Sequence, residues 1–185
     1  MKQTLSIIAL FAAVPALAQD SRELGAHEHG VGTLNIAIDG NSVAMEFEAP
    51  GADIVGFEYE AQSDVDLAAI DTALEKLIAP LDLFVLPDAA TCSVVEARAE
   101  LEGEGDHDDH DDHDGHDDHA DEAGHTEFHA EYVLSCDNPD ALSDIEFAYF
   151  ETFPNALEVE VQIITAAGAQ AFEVERDAPV LDLDR

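Results

Sequence analysis

Basic side chains are nearly missing from this sequence: six Lys plus Arg stand against 43 Asp plus Glu, for a formal net charge of −37. Such a chain repels phosphate backbones and anionic bilayer surfaces, which argues against nucleic-acid binding and leaves cations as natural partners. Long apolar runs are equally scarce. The best candidate, Leu5 to Val14, is too short to cross a bilayer, and nothing later approaches the roughly 20 apolar residues of a transmembrane helix. Cysteine is confined to Cys92 and Cys136, without the C-x-x-C spacing of a redox or cysteine–zinc centre. In an oxidising compartment an isolated pair reads as one disulfide. Also absent are an H-E-x-x-H helix, a G-x-S-x-G elbow and a D-x-D-x-D-G loop closed by glutamate. Zinc-hydrolase and EF-hand readings therefore lack their residues.

What is present begins with an export signal. Lys2 forms the positive n-region, Leu5 to Val14 the apolar region, and Ala16-Leu17-Ala18 a small-residue cleavage site before Gln19. Residues 1–18 are thus expected to be removed, leaving 19–185 as one exported metal-binding domain without membrane insertion. In a Gram-negative cell that places it in the periplasm. Loss of Lys2 makes the mature chain one charge more negative.

The densest signal is the stretch EGEGDHDDHDDHDGHDDHADEAG, residues 102–124. His107, His110, His113, His116 and His119 recur every third residue, with aspartate filling most gaps. No apolar side chain larger than alanine lies between Leu101 and Phe128, so this stretch cannot bury enough surface to offset its ordering entropy. A disordered His/Asp-rich loop is predicted. Imidazole nitrogen suits zinc and its first-row neighbours, and carboxylate oxygen can complete the shell. General acidity alone would fit solubility or salt adaptation, but leaves the histidines unexplained.

Around the loop the sequence predicts an α+β fold, a strand-rich antiparallel single domain with one main helix. Leu34, Ile36 and Ile38 alternate, Asp39-Gly40-Asn41 turns, and Val43, Met45 and Phe47 resume the alternation as a hairpin. The segment from Pro50-Gly51 to Gln62 reads as irregular. Ser63 with Asp66 forms an N-terminal capping pair for a helix over about 64–79, whose Leu67, Ile70, Leu74, Leu77 and Ile78 share a face and which Pro80 ends. Cys92 to Leu101 and Glu127 to Cys136 read as strands carrying the loop between them. If Cys92 faces Cys136, the odd apolar set of the first strand (Val95, Ala97, Ala99, Leu101) conflicts with the even set of the second (Phe128, Ala130, Tyr132, Leu134). A one-residue bulge would reconcile them. Strands are further expected over Asp144–Phe150, Leu157–Thr165 and Ala169–Glu175.

The remaining histidines flank this frame. His27 and His29 share a side if extended, as do His125, Glu127 and His129. These two groups and the loop together hold all nine histidines. Two kinds of metal site are expected: an ordered one from His27, His29, His125 and His129, with Glu127 or water as an alternative fourth ligand, and weaker, interchangeable ones in the loop. Coordination requires neutral imidazole, so acidification below about 6.5, its unperturbed value, should release metal.

Several motifs carry a family resemblance: His27-Glu28-His29-Gly30, Gly56-Phe57-Glu58, Leu86-Pro87 ahead of Cys92, the histidine-rich insertion, Phe128-His129-Ala130 with Tyr132 leading to Cys136, and Phe153-Pro154. In that order the sequence resembles the ZrgA family of zinc-regulated periplasmic proteins implicated in bacterial zinc uptake. The resemblance implies a periplasmic Zn2+ binder that works with an inner-membrane zinc permease system; the missing catalytic motifs argue against an enzyme, and a monomer is expected. Alternatives are a general divalent-cation buffer for calcium, nickel, cobalt or copper, or an acidic interaction protein. Calcium would leave the histidines superfluous, because it prefers oxygen ligands.

Overall fold

The computed structural model describes residues 28–103 and 125–183. The expected leader, His27 and the histidines of the acidic stretch lie outside them. The described elements begin with strands β1 (Val31–Asp39) and β2 (Ser42–Pro50), then short helix α1 (Gly51–Ile54), main helix α2 (Asp64–Leu77), α3 (Pro80–Leu83) and β3 (Phe84–Val85). They continue with β4 (Cys92–Gly103), β5 (Thr126–Cys136), β6 (Asp144–Phe147), α4 (Tyr149–Thr152), β7 (Glu158–Thr165), β8 (Gly168–Glu175) and β9 (Val180–Asp182). Among the described residues they make a six-stranded sheet, ordered β4-β5-β2-β1-β7-β8, and a three-stranded sheet, β3-β6-β9. The α+β, strand-rich reading with one main helix is borne out.

Alternation decides which face of the large sheet is buried. Leu34 and Ile36, Val43, Met45 and Phe47, Phe128, Ala130, Tyr132 and Leu134, and Val159, Val161 and Ile163 all point into one core. Phe84 of the small sheet covers that face: its ring centroid lies 5.4 Å from Phe47 and 6.5 Å from Tyr132. Tyr149 of α4 meets Phe47 edge-on at 5.0 Å. Fully burying a side chain such as Phe47 contributes about 1.5–3 kcal/mol from apolar area alone, so this aromatic layer binds the two sheets into one unit. Arg176 pins the turn after α4, donating to the carbonyls of Phe150 at 2.8 Å and Phe153 at 2.9 Å. No helix of the described residues is long and apolar enough to cross a membrane.

The hairpin that carries the acidic stretch forms as expected, bulge included. Cys92 and Cys136 are disulfide-bonded and face each other. The register slips between Val94 and Glu96, and beyond it Ala97 faces Tyr132, Ala99 faces Ala130 and Leu101 faces Phe128. One extra residue thus brings the odd apolar set onto the even one. The turn of the first hairpin locks onto this end, as Asn41 Nδ2 donates to the Cys136 carbonyl at 2.7 Å.

Four expectations need correction. One pairing is parallel rather than antiparallel, β7 running alongside β1; β5 already occupies the free edge of β2, and the chain reaches β1 only after a long crossover, which imposes no hairpin geometry. Helix α2 ends at Leu77 and buries Ile70, Ala73 and Leu77, while Leu67 and Ile78 stay 48% exposed. Its apolar stripe is wider than the surface that covers it. The segment after Pro50 holds α1 where irregular chain was expected, and the strand begun at Asp144 stops at Phe147 so that Tyr149 and Phe150 can turn into the core on α4. The Ser63 cap is as expected, its Oγ accepting the Asp66 amide at 3.1 Å.

Candidate metal centre

One end of the large sheet gathers three segments that are remote in sequence. The chain before β1 is held there by Asp53 of α1. Its carboxylate is buried and accepts the Gly30 amide through both oxygens, at 2.8 and 2.9 Å. Gly30 adopts φ +92°, and a Cβ there would come within 2.9 Å of Leu157, so the position next to His29 needs glycine. Gly51, at the start of α1, fits between the Phe57 carbonyl and Thr126; a Cβ at this position would lie 2.7 Å from the carbonyl. This close approach brings the segment after α1 against the start of β5. Gly56, at φ +87°, then turns the chain so that Phe57 stacks on Tyr59, with ring centroids 4.7 Å apart.

Glu58 is the point of convergence. His29 Nε2 lies 3.1 Å and His125 Nδ1 3.0 Å from the same oxygen, Oε2. The other oxygen, Oε1, is buried and has no hydrogen-bond partner among the described residues. Burial pushes the Glu58 carboxyl up, but the hydrogen bonds and charges of His125 and His29 outweigh it, so the net shift is below the ordinary 4.5. The carboxylate is thus ionised at neutral pH and faces two imidazoles that remain largely open to solvent. Two imidazole nitrogens and a carboxylate oxygen are the donor types of three-ligand zinc centres, which leave one position for water or a further ligand. The chemistry of the residues fits zinc.

His129 has different neighbours. Its Nε2 lies 3.2 Å from Glu46 Oε1 and 3.3 Å from Glu48 Oε1, on the outer face of the sheet. Glu127, two residues earlier on β5, faces Glu102 and Pro50 in the register. Of the expected ligands, then, His29 and His125 meet at Glu58, His129 stands with Glu46 and Glu48, and His27, His107, His110, His113, His116 and His119 fall outside the described residues. Sequence reading passed over Glu58, Glu46 and Glu48 as ligands. For Glu58 the available signal was its place in Gly56-Phe57-Glu58, an acid beside a turn glycine. For Glu46 and Glu48 it was two acids on the polar face of a strand, a pattern shared by many solvated strands.

A family model described as ZrgA family zinc uptake protein matches residues 26–183. No match is found among curated proteins.

Proposed function

This chain belongs to the ZrgA family of zinc uptake proteins, and from that premise we propose that it captures or buffers Zn2+ in the periplasm for import across the inner membrane by a permease system. The ion is cargo: the family match is to uptake, which implies transport rather than catalysis. The observation that carries the reading is the meeting of His29 and His125 at Glu58 Oε2, at 3.1 and 3.0 Å, with Oε1 buried beside it and without a partner among the described residues. In this reading the three side chains form the ordered, tighter site. His27 lies two residues from His29 and is the nearest candidate for a further ligand.

The loop histidines, His107 to His119, act as weaker, exchangeable ligands, and their aspartates raise the local cation concentration. The Cys92–Cys136 disulfide supports an oxidising compartment, and the leader-like residues 1–18 support export. Cargo release needs only modest affinity or a fall in pH, since protonated imidazole cannot coordinate.

Zinc titration calorimetry on the mature protein near neutral pH tests this. One tight site should disappear in His29→Ala/His125→Ala, and a weaker set should disappear when the five loop histidines become alanine. Absence of any zinc binding by the unaltered protein would refute the function. Unchanged tight binding in the double variant would refute the site. Metal content of protein purified from the periplasm identifies the ion carried in the cell.

A further inference from the structure

The outer face of the large sheet holds a second set of ligand atoms, sharing no residue with the Glu58 centre. In the register, His129 on β5 stands between Glu100 on β4 and Glu48 on β2, one row across three adjacent strands. Glu46 and Glu102 lie one alternation away on the same face. His129 Nε2 contacts Glu46 and Glu48, and a ring nitrogen also groups with the carboxylates of Glu100 and Glu102, each group having its ligand atoms within 4.8 Å of one another.

Two features separate this cluster from an ordinary solvated acidic face. The imidazole at its centre is buried, at 5% exposure, whereas His29 and His125 are open to solvent. Carboxylate oxygens also crowd the one imidazole. Nε2 can carry a single hydrogen, yet it stands between two carboxylate oxygens at 3.2 and 3.3 Å. Thr33 Oγ1 adds a 3.4 Å contact to the far oxygen of Glu48. Arg98, on the same strand as Glu100 and Glu102, is engaged by Glu131. Like charges across neighbouring strands repel, and a divalent cation is the species that would both balance them and use the imidazole.

We propose that His129, with Glu46 and Glu48 and flanked by Glu100 and Glu102, forms a second divalent-cation site on the outer face of the sheet. One nitrogen among carboxylate oxygens is a harder donor set than two imidazoles on one carboxylate. It accepts Mn2+ as well as Zn2+ and selects less strongly for zinc. The site lies close to the base of the acidic stretch, since Glu102 directly precedes Gly103, whose partner Thr126 closes the strand pairing.

Mn2+ alone is the probe, added to the mature full-length chain while the imidazole resonances are followed by NMR. His129 ring signals should broaden below one equivalent of Mn2+. Glu46→Gln/Glu48→Gln keeps the side-chain shapes and should raise the Mn2+ needed at least tenfold. Glu100→Gln/Glu102→Gln serves the same purpose if the first pair unfolds. Sharp His129 signals through several equivalents, or equal broadening in a folded glutamine variant, would overturn the proposal. His29→Ala/His125→Ala should leave the His129 response intact, so failure here is separable from failure at Glu58.

Discussion

His125 Nδ1 and Glu58 Oε2 meet at 3.0 Å although 67 positions separate the two residues. The contact depends on α1, whose first residue packs against both the chain leading to Glu58 and the start of β5. His29, brought in by the Asp53–Gly30 bonds, adds the third side chain. The candidate centre is thus a product of backbone packing around one short helix, and its ligands can be tested singly.

Glu58→Gln preserves shape and removes the charge that two imidazoles face. Zinc affinity at the tight site should fall on the order of 100-fold, since even outer partners of metal ligands are worth 10–100-fold. Calorimetric titration reads the loss; an affinity within threefold of the unaltered protein would exclude Glu58 as a ligand.

Gly51→Ala places a methyl 2.7 Å from the Phe57 carbonyl and against Thr126. Overpacking of this kind costs about 1–3 kcal/mol, and here it also pushes Glu58 away from His125. Urea unfolding should show the stability loss and zinc titration a weakened tight site. A variant that lost stability yet bound zinc normally would uncouple α1 from the centre.

The Cys92–Cys136 bond spans a sequence separation of 44 and closes a loop that contains the whole inserted stretch. By loop-closure entropy its removal should cost about 4 kcal/mol. The check is the urea midpoint of Cys92→Ala/Cys136→Ala against the oxidised protein. Near-identical midpoints would mean that pairing of β4 with β5 alone sets the stability.

Burial pushes the Asp53 carboxyl above its ordinary 3.8, with the Gly30 bond and His29 offsetting it only in part. A raised folded value means that the folded state holds the proton more tightly. The stability from Asp53 is therefore full below about 3.8 and is lost as pH rises through the folded value. Metal-free unaltered protein should lose stability relative to Asp53→Asn between pH 3.5 and pH 7, as read from urea midpoints at each pH. A gap that stayed constant, or widened in favour of aspartate at pH 7, would contradict the assignment.

Much of the fold was legible because local chemistry and strand alternation agree. Ser63 caps α2, Asp39-Gly40-Asn41 turns the first hairpin, and the clash of odd and even apolar sets between Cys92 and Cys136 demanded the bulge found after Val94. Legibility failed where a neighbour decides. Leu67 and Ile78 look as apolar as Ile70, but about half of each stays exposed among the described residues. The parallel alignment of β7 with β1 leaves no local mark, since both strands alternate as any half-buried strand does.

The candidate site divides along the same line. Histidine at positions 27, 29, 125 and 129, the His/Asp repeat and a near lack of Lys and Arg by themselves suit this chain to cations, because donor chemistry and net charge are properties of composition. Which carboxylates stand beside which imidazoles was decided by tertiary structure alone. Glu58 joins His29 and His125 through the packing of α1, and Glu46 and Glu48 reach His129 through strand register. A ligand set needs atoms within a few ångströms of one another, and for residues dozens of positions apart only the folded backbone sets that distance.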